Sequence, residues 1–109
     1  MAPELIMKSE YNEMVDIWSL GIIVLELCQG EPPYLRMQPI RAMYKIASEE
    51  PPVLRGFSTL LCDFVSCCLK KNPTERSSVM ELSRHPFIQS IGDGFKEDEL
   101  FRAMVDQLN

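Results

Sequence analysis

The residues of this sequence that could do chemistry are few and unevenly placed. There is one histidine, His85, and four cysteines, Cys28, Cys62, Cys67 and Cys68. A Cys–His pair could serve as a nucleophile and its base, but that chemistry needs a third group to orient the base, and none stands out. Zinc would need ligands converging on one point, and His85 is not spaced from the cysteines like a known zinc motif. Adjacent Cys67 and Cys68 project to different sides of a helix and do not easily meet one partner. The sequence therefore predicts reduced, partly buried thiols and no metal. More telling are the charges set among apolar residues. Asp16 and Glu26 lie within the run Val15–Cys28, where a carboxylate needs a partner or a route to water.

The overall balance narrows the partners. Net charge is −5, and the nearest basic cluster, Lys70-Lys71 with Arg76, is interrupted by Glu75. A phosphate backbone selects clustered Lys and Arg, so nucleic acid is not expected as a partner. The opening Met1-Ala2-Pro3-Glu4 has neither a basic n-region nor the look of a transit peptide. The longest apolar run holds two acids and is shorter than the ~20 residues of a membrane span. A cytoplasmic setting is the expectation.

The elements that must position these residues follow from pattern and punctuation. Val15–Cys28 is apolar on nearly every side, which predicts a central helix wrapped by other structure. Gly30 and Pro32-Pro33 end it. Pro39 suits a first helical position, and Ile40, Met43, Tyr44 and Ala47 mark one face of the helix it opens. Ser58 or Thr59 caps a further helix through Leu61, Phe64, Val65, Cys68 and Leu69. Asn72-Pro73 breaks it, and Ser78-x-x-Glu81 is a capping box before a short helix that ends by Pro86. Past the turn Gly92-Asp93-Gly94, Leu100, Phe101, Met104, Val105 and Leu108 form a stripe on an expected last helix. No hairpin or repeat is evident, and the predicted fold is all-α.

These blocks resemble the C-terminal part of a eukaryotic protein kinase domain. Ala2-Pro3-Glu4 is similar to the motif that closes the activation segment. Asp16-Ile17-Trp18-Ser19-Leu20-Gly21 resembles the start of the kinase F helix, Pro39–Ser48 the G helix and Leu60–Lys71 the H helix. Asn72 to Ser78 and His85-Pro86-Phe87-Ile88 resemble the arginine-bearing turn and the I helix. Gly30-Glu31-Pro32-Pro33-Tyr34-Leu35 looks like the matching loop of the sterile-20-like group. Cys68-Leu69 and Arg76-Ser77-Ser78-Val79 stand where tyrosine kinases usually carry Cys-Trp and Arg-Pro-Thr/Ser-Phe, so the resemblance is to Ser/Thr kinases. It implies a partial kinase domain over residues 1–90 and a tail over 91–109.

The resemblance also assigns roles. Glu4 is expected to pair with Arg76, and Asp16 to hold the catalytic loop by accepting its backbone N–H groups. Glu26 matches a position that in some kinases binds a basic substrate side chain, and Tyr34 is a candidate either for the groove of a substrate peptide or for packing under the G helix. The parts that position ATP and Mg²⁺ in this family precede the Ala-Pro-Glu motif: the Gly-rich loop, the strand lysine, His-Arg-Asp with its Asn, and Asp-Phe-Gly. None occurs in these 109 residues, so no catalytic or cofactor-binding residue is expected here. ATP and Mg²⁺ are implied only for a longer parent, with protein substrates or the preceding kinase half as partners. The rival expectation is a stand-alone, non-catalytic interaction module. An apolar Val15–Cys28 helix favours a piece of a larger protein, since a module would need polar groups there.

Overall fold

The computed structural model describes residues 1–92. Six α-helices occur among them: α1 (Pro3–Ile6), α2 (Met14–Gln29), α3 (Pro39–Ser48), α4 (Thr59–Cys68), α5 (Val79–Ser83) and α6 (Pro86–Gly92). A 3₁₀ turn, Pro73–Glu75, follows α4, and the described residues hold no strand. The fold is all-α. The expected tail helix with its Leu100-to-Leu108 stripe lies outside the described residues.

Local chemistry sets most of the boundaries. The Asn12 side chain accepts the Met14 N–H at 3.0 Å and so satisfies one of the orphan donors that open α2. Gly30 ends α2 at φ 85°, a left-handed conformation that a side chain resists. Ser58 rather than Thr59 caps α4, accepting from Leu61 N–H at 3.2 Å. Ser78 and Glu81 form the full reciprocal capping box at the start of α5. Between them Asn72 accepts both the backbone N–H and the hydroxyl of Thr74, closing the turn that carries the chain to Arg76.

The core lies where α2 crosses α4. Ile17, Trp18, Gly21 and Leu25 recur at helical spacing on the buried face of α2. They meet Phe64, Val65 and Cys68 of α4, with Leu54, Leu69 and Leu82 closing the cluster. At Gly21 the helices leave no room for a side chain: an added Cβ would stand 2.6 Å from the Cys68 Cβ. Burial pushes the Cys68 thiol up to about 12, with the neighbouring Cys67 adding to it, so this sulfur is an inert packing group. All four cysteines are free thiols.

The fold corrects one expectation and adds one element. The face of α3 marked by Ile40, Met43, Tyr44 and Ala47 is not its packed face. Ile40 is 83 % and Tyr44 71 % exposed, whereas Ala42 and Ile46 turn inward toward Trp18, Ile22 and Met37. Periodicity reports that a helix has an apolar face; it does not report what covers that face. The second difference is α1, one turn over Pro3–Ile6 that the sequence reading left unassigned. Pro3 at the first helical position preorganises it, and Ala2, Pro3 and Glu4 are buried.

Candidate functional site: a buried arginine clamp

Arg76 stands just past the 3₁₀ turn, with its side chain fully buried. Its guanidinium reaches Glu4 in a two-pronged contact, Nη1 to Oε2 at 2.6 Å and Nη2 to Oε1 at 2.7 Å. Nη1 also donates to the Met14 carbonyl at 3.0 Å, Nη2 to that of Lys71 at 3.3 Å, and Nε to that of Lys70 at 2.6 Å. A guanidinium has five N–H donors, and here each has an acceptor. The cation also lies 5.1 Å from the ring centroid of Trp18, at the distance of a cation–π contact. One side chain thus ties α1, the start of α2 and the end of α4 together. Lysine lacks the planar fork that this arrangement uses.

The electrostatics agree with the geometry. Burial alone would raise the Glu4 carboxyl, and it is the largest single influence. The hydrogen bonds from Arg76 and from the Glu4 backbone, joined by the guanidinium charge, outweigh it and hold the group below 4.5. A carboxyl depressed in the folded state stabilises the fold fully above its unfolded value, and that contribution is lost as pH falls through the folded value. Urea melts from about pH 7 down to about pH 3 are therefore expected to show an acid-labile component. The gap between the wild type and Glu4→Gln should narrow below about pH 4.5. A gap independent of pH would mean that the Glu4 carboxyl titrates alike in both states.

The other predicted site residues do not join this cluster. Asp16 lies in the first turn of α2, exposed, on the rim of a groove of about 580 Å³ between α2 and α5. Its carboxylate has no hydrogen-bond partner among the described residues. Glu26 is half-buried one turn before the end of α2. Tyr34 adopts φ 67° in the loop after α2 and packs at the base of α3 beside Pro33 and Met37. Burial, and secondarily the charge of Glu49, raises its hydroxyl. Trp18 is 2 % exposed, and its indole N–H finds no acceptor among the described residues, an uncommon state for a buried donor.

Sequence spacing missed a second polar cluster. Asp63 and Cys67 stand one turn apart on α4, and His85 is brought to them by the turn before α6. His85 Nε2 lies 2.7 Å from Asp63 Oδ2, and the opposite ring nitrogen accepts the Phe87 N–H at 3.0 Å. The i, i+4 spacing of Asp63 and Cys67 was the available signal. The approach of His85 is tertiary and left no trace in spacing.

The fold and clamp together define a helical lobe built around a central apolar helix, with the segment before that helix locked down by a buried Glu–Arg fork. A family model described as "Protein kinase domain" matches residues 1–88. The chain is 50 % identical over 93 residues to the serine/threonine-protein kinase sid1 of Schizosaccharomyces pombe, covering 84 % of this chain and 20 % of that protein. It is 46 % identical over 96 residues to the serine/threonine-protein kinase STE20 of Candida glabrata, covering 85 % of this chain and 10 % of that one. With mouse serine/threonine-protein kinase PAK 1 the identity is 44 % over 92 residues, covering 82 % and 17 %. The chain belongs to the protein kinase family, as a segment of a sterile-20-like Ser/Thr kinase domain. It spans between a tenth and a fifth of the length of these three relatives.

Proposed function

We propose that this segment is the lower helical part of the large lobe of a Ser/Thr protein kinase, with residues 1–90 as kinase scaffold and 91–109 as a tail. The complete protein would transfer the γ-phosphate of ATP to Ser or Thr hydroxyls of protein substrates. The observation that carries this reading is the Glu4–Arg76 fork, which joins the two ends of the matched region through a buried contact. By fixing Ala2-Pro3-Glu4 on α2 and α4, it would anchor the end of the activation segment and so the platform on which a substrate lies.

The remaining roles follow from position. Asp16, exposed at the start of α2 on an open groove, is free to accept N–H groups from a catalytic loop seated there. Glu26 could pair with a basic side chain of the substrate, and Tyr34 would shape the floor beneath it through packing under α3. ATP and Mg²⁺ find no binding set in this chain, since its sequence lacks the Gly-rich, His-Arg-Asp and Asp-Phe-Gly motifs. In the complete protein the group supplies the phosphoryl donor; the residues present here orient and support.

The test is to sequence the native transcript upstream of the Met1 codon and assay the complete product for ATP-dependent Ser/Thr phosphorylation. The expected result is an in-frame extension carrying His-Arg-Asp and Asp-Phe-Gly, an active complete product, and an inactive 109-residue chain. An in-frame stop immediately upstream would overturn the enzyme reading and leave a non-catalytic module.

A further inference from the structure

Helix α3 carries an apolar stripe that the described residues leave uncovered. Ile40, Met43, Tyr44 and Ala47 recur at i, i+3, i+4 and i+7, so they share one face of the helix. Ile40 is 83 % and Tyr44 71 % exposed, and Met43 is exposed beside them. Apolar side chains exposed singly are ordinary; neighbours on one face mark a surface that meets something. The other side of α3, through Ala42 and Ile46, packs toward Trp18, Ile22 and Met37, and Met1 lies on that side too. In the complete protein proposed above, the preceding half enters at Met1, so the stripe faces away from it and stays open. That step rests on the kinase reading.

The charges beside the stripe have one sign. Residues 32–48 hold Arg36, Arg41 and Lys45 and no carboxylate, in a chain of net charge −5. Arg36 approaches Glu31 at 3.9 Å and Lys45 approaches Glu49 at 3.6 Å, both in solvent, where such pairs contribute little. Arg41 is exposed and makes no ion pair among the described residues. It also stands in the first turn of α3, where the helix dipole disfavours a cation and no acid accompanies it. Nothing within the fold balances this charge; a carboxylate from outside would.

We propose that this face of α3 docks an acidic amphipathic helix of a protein partner. The partner's apolar side chains lie on Ile40, Met43 and Tyr44, and its carboxylates meet Arg36, Arg41 and Lys45. Ile40 to Ala47 rises about 10 Å, two helical turns, which matches anchors at i, i+3, i+4 and i+7 of a second helix. A tyrosine at the centre of the stripe supplies the broad, rigid contact that interfaces favour. Three cations fall short of the roughly four to eight that hold a protein on an anionic membrane. A second copy laid α3 on α3 would bring like charges together.

The experiment uses the complete product of the native transcript and a labelled synthetic helix of about 16 residues, with leucine at helical spacing and glutamate on the flanks. Binding is read by fluorescence anisotropy, with companion peptides carrying glutamine or lysine in place of glutamate. The glutamate peptide should bind one to one, about tenfold tighter than the glutamine peptide at low salt, and lose that advantage at high salt. Ile40→Glu and Tyr44→Ala should each weaken it about tenfold or more. Val53→Glu, which adds the same charge at an exposed position after α3, should leave it unchanged. Arg41→Glu should turn the preference toward the lysine peptide. These side chains are exposed, so all four variants should melt like the wild type, which separates lost binding from lost fold. No binding, equal affinity for the glutamate and glutamine peptides, or binding that survives Ile40→Glu overturns the proposal. Adsorption to phosphatidylserine vesicles without peptide binding would make the occupant a membrane, and self-association abolished by Ile40→Glu would make it a second copy; either overturns the protein partner. The assay needs no ATP. A product that binds the peptide but phosphorylates nothing leaves the docking face standing and overturns only the enzyme reading.

Discussion

Arg76→Gln will cost the folded domain about 3–5 kcal/mol, measured by urea denaturation of the complete kinase domain. The size follows from what is stranded. The variant leaves the Glu4 carboxylate, 7 % exposed, without its cation, and deprives the carbonyls of Met14, Lys70 and Lys71 of their donors. A buried charge without a partner is the expensive outcome, whereas the intact pair roughly balances its own desolvation. Against a typical domain stability of about 5–15 kcal/mol, the loss is a large fraction. Arg76→Lys should recover little, because an ammonium cannot span both carboxylate oxygens and three carbonyls at once. Removing both charges, as in Glu4→Gln with Arg76→Met, should cost less than the sum of the single changes. A loss for Arg76→Gln under about 1 kcal/mol would place the pair among solvent-screened surface bridges and overturn the clamp.

The clamp also shows what was and was not legible before the structure. Composition and periodicity marked neither Glu4 nor Arg76, since both are ordinary charges of kinds that usually face water. Their pairing came from family resemblance, which carries tertiary information that spacing lacks. Boundaries were legible wherever a single residue has one strong local use: Gly30 as a left-handed stop, Pro39 as an opener, Ser78 with Glu81 as a capping box. The orientation of α3 was not, because its apolar residues lie on more than one side and only what packs against it, α2 and the loop between them, decides which are covered. For the same reason Asp63, Cys67 and His85 were scattered in sequence and adjacent in space. Asp16 and Glu26 lie on α2 and Tyr34 in the loop after it.

Gly21→Ala is expected to destabilise the domain by about 1–3 kcal/mol, although alanine is the better helix former by about 1 kcal/mol. The new methyl would stand 2.6 Å from the Cys68 Cβ and 2.8–2.9 Å from the branch of Leu69. The leucine branch can rotate; the Cys68 Cβ is fixed to the α4 backbone and cannot. Helices α2 and α4 must therefore separate, and Val65 and Leu25 lose contacts on either side of the crossing. Cys68→Ala should not rescue the variant, because it keeps the obstructing Cβ, whereas Cys68→Gly should recover part of the loss. The carbonyls of Lys70 and Lys71, which follow α4 directly, are acceptors of Arg76, so moving α4 also moves one wall of the clamp. Gly21→Ala and Arg76→Gln should then be less than additive, since each spends part of the same contact. Full additivity in urea melts would show that α4 yields locally at Cys68 and leaves its C-terminal carbonyls in place. A neutral or stabilising Gly21→Ala would show that the crossing has slack, and that glycine is not required there for close approach.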